Sequence, residues 1–255
     1  MAASFDCFLG FDFSDPERPC TYAALDKKRK LLAIGGGKLV DALAYAAGQS
    51  RALAAINAPA CSLTKGVKTA EAQAQKNPVD RQKQSRELRQ AEYELMLLGV
   101  PLPRIYGSGK NAPAYIRRGL EFYPRMENLG YQHFTENADR PRQWVESNSE
   151  ACFKVWLGTL PLPAGRLEGR IQRQLALFDL GLPVADAMLF FEEITRHRLL
   201  QGILPVDKIH LPAELNALAC AQLAWLLDAQ PSALRWLGHP AEGQIVIPDW
   251  ENLSG

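Results

Sequence analysis

Four polar residues of this chain sit where an apolar segment ends, and a polar group in such a place is either structural or chemical. Asp12 lies between phenylalanines in FLGFDFSD, residues 8–15, a run otherwise largely apolar on both alternating faces. Burying an ionised carboxylate without a partner is costly, so the residue must be paired, protonated or bound to a metal. The plainer alternative is that the strand ends here and Asp12 caps a turn with Ser14, Asp15 and Pro16. Asn57 closes the apolar run ALAAI, and Glu146 stands in the strand-like WVESN. Asn216 is the strongly polar member of a small and apolar helical stripe formed with Ala213, Ala217, Cys220, Leu223 and Leu227. For Asn216 the structural alternative is a core amide bonded to backbone. If the four ends meet, they make a polar cluster of the kind that α/β proteins build at one edge of a sheet. Arg166, Arg170 and Arg173 recur at i, i+4 and i+7 and give one basic helical face. Such a face is either solvated or set to contact phosphate with guanidinium forks.

These residues need elements to hold them. FDCFLGFDF, CTYAALD and KKRKLLAIGG read as three strands joined by tight polar connections, an antiparallel meander. Residues 38–49 follow as a helix behind a glycine entry, and residues 52–59 as a returning strand parallel to the first. Residues 64–90 hold seven Lys/Arg against three Asp/Glu and few large apolar groups. The first half of that stretch reads as a mobile loop, because it offers little surface to bury against the entropy of ordering. From residue 80 it becomes a helix with Leu88, Ala91, Leu95 and Leu98 inward. A further helix is expected at 113–129, a core strand at 142–148, helices at about 150–157, 164–180, 184–200 and 211–228, and a closing strand in QIVIP. The fold class is α/β, a mixed sheet with flanking helices and a helical insertion at about 64–135 within a single domain spanning 1–255.

Composition narrows the chemistry. A formal net charge of +1 announces no global field for a polyanion, so one would have to be met by a local patch. Lys65, Lys68 and Arg89 with Arg170 and Arg173 are the cations placed to form it. The five cysteines are scattered, odd in number and without a CxxC pair, which suits a reduced, cytoplasmic protein. The start MAASFDCFLGF lacks a basic segment and carries Asp6, so it does not read as a signal peptide. Apolar runs such as AMLFF fall far short of the roughly 20 residues a spanning helix needs, so no membrane is expected. GSGK at 107–110 and GGGK at 35–38 lack the full phosphate-loop pattern, and the four histidines have no ligand spacing.

Six segments, in order, resemble the motifs of one family. LGFDFS is similar to its first-strand motif with Asp12, and AAINAP to its Asp-Ala-Pro strand, with Asn57 in place of the Asp. WVESNSEACF resembles its strand-to-helix passage opened by Glu146, with Ser149 where the family usually has Pro. GRIQRQLALFDLG resembles its Gly-Arg-x-x-Arg helix at Gly169, Arg170 and Arg173. ELNALACAQLAW resembles its C-terminal helix, with Asn216 in place of an Asp, and LGHPAEGQIVIP its closing segment. The chain thus resembles, over nearly its whole length, the predicted nucleases of domain of unknown function family 429, an RNase H-like group. The resemblance implies an RNase H-like fold, catalytic positions at Asp12, Asn57, Glu146 and Asn216, and magnesium or manganese on a carboxylate cluster. Two such metals, about 3.5–4 Å apart, activate water and stabilise the leaving oxygen of a phosphodiester. The implied partner is nucleic acid or another phosphate-containing ligand, met by Lys65, Arg89, Arg170 and Arg173. Because Asn57 and Asn216 carry no charge, the metal ligands reduce to Asp12 and Glu146, enough for one weakly held hydrated ion. Three readings follow: a metal-dependent phosphodiesterase with a depleted acidic site, a catalytically silent binding protein on the same fold, and an actin-like kinase or ATPase relative.

Overall fold

The structure is a computed structural model that describes residues 5–61, 89–101, 113–136 and 139–249. β1 (Cys7–Asp12) is buried at all six positions, as a strand covered on both faces must be. It pairs antiparallel with β2 (Cys20–Asp26), which pairs antiparallel with β3 (Leu31–Gly37). After α1 (Leu39–Ala47) the chain returns as β4 (Ala52–Asn57), parallel to β1 and in a register that sets Asp12 beside Asn57. Then come α2 (Gln90–Leu97), α3 (Ala114–Asn128), β5 (Gln132–His133) and β6 (Arg142–Ser147), the last parallel to β4. The chain continues through α4 (Ser149–Leu157), α5 (Leu167–Asp179), α6 (Leu189–Glu192), α7 (Arg196–Leu200) and α8 (Pro212–Ala229). It closes with β7 (Leu234–Leu237) and β8 (Ile245–Pro248). Together the strands form one mixed sheet ordered β3-β2-β1-β4-β6-β8-β7, with β5 also against β6. This is an α/β architecture with helices on both faces.

Alternation along the strands separates two cores. Phe8, Ala23, Leu53, Ala55 and Val145 face α8. Leu9, Phe11, Ala54, Ile56 and Trp144 face the other way, toward Phe122, Tyr123 and Met126 of α3 and Ala42 and Ala46 of α1. The small residues of α8 let it lie very close to the sheet. A β-carbon added at Gly10 would stand 1.9 Å from the Ala217 carbonyl oxygen and 2.4 Å from the Ala221 nitrogen, so β1 tolerates no side chain there. This contact sets the height of Asn216 over the end of β1.

Several elements differ from the sequence reading. The expected helix over 184–200 is two short helices, because the Thr195 hydroxyl accepts from the Arg198 amide at 3.1 Å and starts a new one. β5 and β7 are strands of two and four residues, too short to show a period. Ala91 and Leu95 of α2 point inward as expected, with Arg89 as N-cap; residues 80–88 of that expected helix, the loop from 64 and the GSGK stretch lie outside the described residues. The GGGK stretch ends β3 and caps α1, where the Lys38 amide donates to Asp41 Oδ2 at 2.9 Å. Among the described residues no helix is long and apolar enough to cross a membrane.

Candidate functional site

Asp12, Asn57, Glu146 and Asn216 all border one cavity of about 280 Å³ at the end of the sheet where β1, β4 and β6 finish. They do not form one cluster of side chains. Asp12 and Asn57 are register partners and share the α8 face with Asn216. Glu146 is paired with Ile56, one step earlier, so it projects to the opposite face of the sheet, the face of Trp144.

The Asp12 side is a closed hydrogen-bond network. Asp12 is fully buried. Its Oδ1 accepts from Asn57 Nδ2 at 2.5 Å and from Asn216 Nδ2 at 3.2 Å. Its Oδ2 accepts the Ser14 amide at 3.0 Å and the Ser14 hydroxyl. The turn with Ser14 is therefore present, alongside the longer-range contacts. Asn57 Oδ1 in turn accepts the Ser149 amide at 3.0 Å, at the start of α4. That backbone donor fixes the orientation of the amide: turned over, it would set N–H against N–H and oxygen against carboxylate. Burial pushes the Asp12 carboxyl above its ordinary value, opposed by the donors of Ser14, Asn57 and Asn216.

Glu146 is bound to one cation on the other side. Arg89 grips it with both terminal nitrogens, Nη1 to Oε2 at 2.8 Å and Nη2 to Oε1, and the Ala60 amide donates to Oε2 at 2.8 Å. The same guanidinium reaches Glu92 through Nε at 2.9 Å, and the Arg89 amide donates to Glu92 Oε2 at 3.1 Å. Arg89, Glu92 and Glu146 are 2–3 % exposed. Burial pushes Glu92 up, against the pull of Arg89. Burial opposes the Arg89 charge as well, yet Glu146 and then Glu92 hold it well above its ordinary value. Cys61 Sγ completes this side, 3.0 Å from the Glu242 carbonyl oxygen and 3.6 Å from Arg89 Nη1. Glu92 is missing from the sequence reading; the signal for it is its place three residues after the helix-opening Arg89, a capping-box spacing.

The phosphate-contact assignments fare differently. Arg89 is engaged as described. Arg170 donates through Nε to the His210 carbonyl oxygen at 2.8 Å and through Nη2 to that of Ile209. Arg173 is fully buried, joined to Glu150 at 2.7 Å, to the Gly169 carbonyl oxygen at 3.0 Å and to that of Leu162. Neither a solvated nor a phosphate-gripping face describes Arg170 and Arg173; they fasten loops to α5. Lys65 and Lys68 lie outside the described residues. Glu214, two residues before Asn216, turns away from the cavity to Arg18 at 3.1 Å and His210 at 3.2 Å.

A divalent ion does not fit this arrangement. Metals need converging, uncommitted oxygens. Here both oxygens of Asp12 already accept two donors each, the two asparagines present N–H groups toward it, and both oxygens of Glu146 are occupied by Arg89 and Ala60. Among the described residues no group of three or more His, Cys, Asp or Glu is arranged to hold a metal. No family model, no curated protein and no solved structure matches the chain.

Proposed function

We propose that the chain is a catalytically silent binding protein on an RNase H-like fold, and not a metal-dependent nuclease. The meander β1–β3, with β4 returning parallel to a β1 that ends in an aspartate, supports that fold. The observation that carries the reading is the inward-facing pair of amides at Asp12, donors where a nuclease would need acceptors. The cavity is bordered by Asp12, Glu92, Glu146 and Glu150; Arg89 pairs with Glu92 and Glu146, and Arg173 with Glu150. Four carboxyls against two guanidiniums leave the cavity acidic, which disfavours a phosphodiester.

The test is thermal melting of the parent and of the double variant Asn57→Asp, Asn216→Asp, each in magnesium, manganese or chelator, with nuclease assays in parallel. The double variant loses two donors and gains two charges. It should melt lower in chelator and gain about 2.7 kcal/mol when metal reaches 100 times its dissociation constant. The parent should show neither metal response nor cleavage. A parent response as large as the variant's would return the chain to the metal-dependent phosphodiesterase reading.

A further inference from the structure

Two glutamates on one side of the cavity, Glu92 and Glu146, are both within hydrogen-bond distance of a single guanidinium. Carboxylates crowded into a buried site need positive charge among them to remain ionised. In an acidic cleft that charge comes either from a divalent ion or from the chain. Here the chain supplies it, and with a tether: Arg89 is the N-cap residue of α2, so its backbone is fixed at the point where the helix begins. Its amide binds Glu92 while its fork holds Glu146, so one residue satisfies both acids from two directions.

Resting on the metal-free reading of the cleft, we infer that Arg89 is its resident cation. It occupies the two glutamates that would otherwise recruit a divalent ion, and withdrawing it uncovers a cation site formed by Glu92 and Glu146. This site is distinct from the Asp12 network in composition and in the face of the sheet it uses. The inverted logic of the cleft follows: the amides of Asn57 and Asn216 quiet one side, and a guanidinium quiets the other.

The experiment compares the parent, Arg89→Ala, and Arg89→Ala with Glu92→Gln, melted in chelator, in millimolar manganese chloride and in millimolar methylguanidinium. The parent should respond to neither cation. Arg89→Ala should melt lower in chelator and rise by about 5–10 °C when either cation reaches about a hundredfold excess over its dissociation constant. Adding Glu92→Gln should remove most of the manganese response. A folded Arg89→Ala that ignores manganese overturns the inference and leaves the metal-free reading standing. A parent that responds to manganese, and loses the response on Asp12→Asn but not on Glu92→Gln, overturns the metal-free reading instead. If Arg89→Ala does not fold in buffer, the readout becomes recovery of folded protein. Recovery in manganese or methylguanidinium, but not in sodium chloride of equal ionic strength, supports the inference, and recovery in none of them overturns it.

Discussion

Burial raises the Asp12 carboxyl, so the folded chain holds that proton to a higher pH than the unfolded chain does. Between the ordinary carboxylate value near pH 4 and the raised folded value, the folded state binds more protons, and stability falls as pH rises. Urea denaturation at a series of pH values, parent against Asp12→Asn, reads this directly. The stability difference between them should shrink as pH climbs from about 4, by at most about 1.4 kcal/mol per pH unit within the window. A difference that grows with pH would mean the four donors outweigh burial. Glu214 behaves oppositely. The His210 hydrogen bond, helped by the Leu211 amide and Arg18, brings its carboxyl down to about 2. Its contribution is full above about pH 4.5 and disappears as pH falls toward 2. For a partly exposed group, Glu214→Gln should remove on the order of 1 kcal/mol near neutral pH. At this scale the sequence is informative about residue type and poor about partners. Asp12, Asn57, Glu146 and Asn216 stand out as polar groups at apolar ends. That Asn57 offers its N–H and not its oxygen depends on Ser149, which lies 92 positions away in the chain.

At the scale of elements, periodicity and length were enough for β1, β4, α1, α3 and α8, and α5 with its arginines shows where they mislead. A stripe at i, i+4, i+7 is a helical face, but which side of that face meets the rest of the molecule is decided by long-range packing. Gly169 lets the loop before α5 close over the helix: an added β-carbon would lie 2.2 Å from the Pro163 carbonyl oxygen. With the loop that close, Arg173 is enclosed and bonds inward. The same kind of approach governs the cleft through Gly10. Gly10→Ala must push α8 off β1, and overpacking of this kind destabilises by about 1–3 kcal/mol or more. Backbone atoms at 1.9 and 2.4 Å place this site at the upper end. Because Asn216 rides on α8, the substitution should also loosen its bond to Asp12. A double-mutant cycle of Gly10→Ala with Asn216→Ala should therefore show coupling above about 0.5 kcal/mol, while simple additivity would place Asn216 outside the influence of that contact.

Across the whole molecule, three parallel strands finish together, and the polar groups collect there on both faces of one sheet. The close fit also governs how time can be measured in this protein. All five cysteines are free thiols, and Cys7, Cys20, Cys152 and Cys220 are buried. Burial lifts the thiols of Cys7 and Cys152 to about 12. Those four therefore meet an alkylating reagent only when the core opens, at a rate that follows global unfolding. Cys61 is half-buried, its sulfur 3.6 Å from Arg89 Nη1. Its alkylation should run as a second, faster clock, set by how often its contacts with Arg89 and the Glu242 carbonyl part. Mass-resolved labelling of native protein should show one early modification and four late ones, and Arg89→Lys should quicken the early step alone. If the early step keeps its pace in Arg89→Lys, the opening belongs to the end of β4 and not to the arginine. A single sulfur then reports, without added spectroscopy, the lifetime of an ion pair buried next to it.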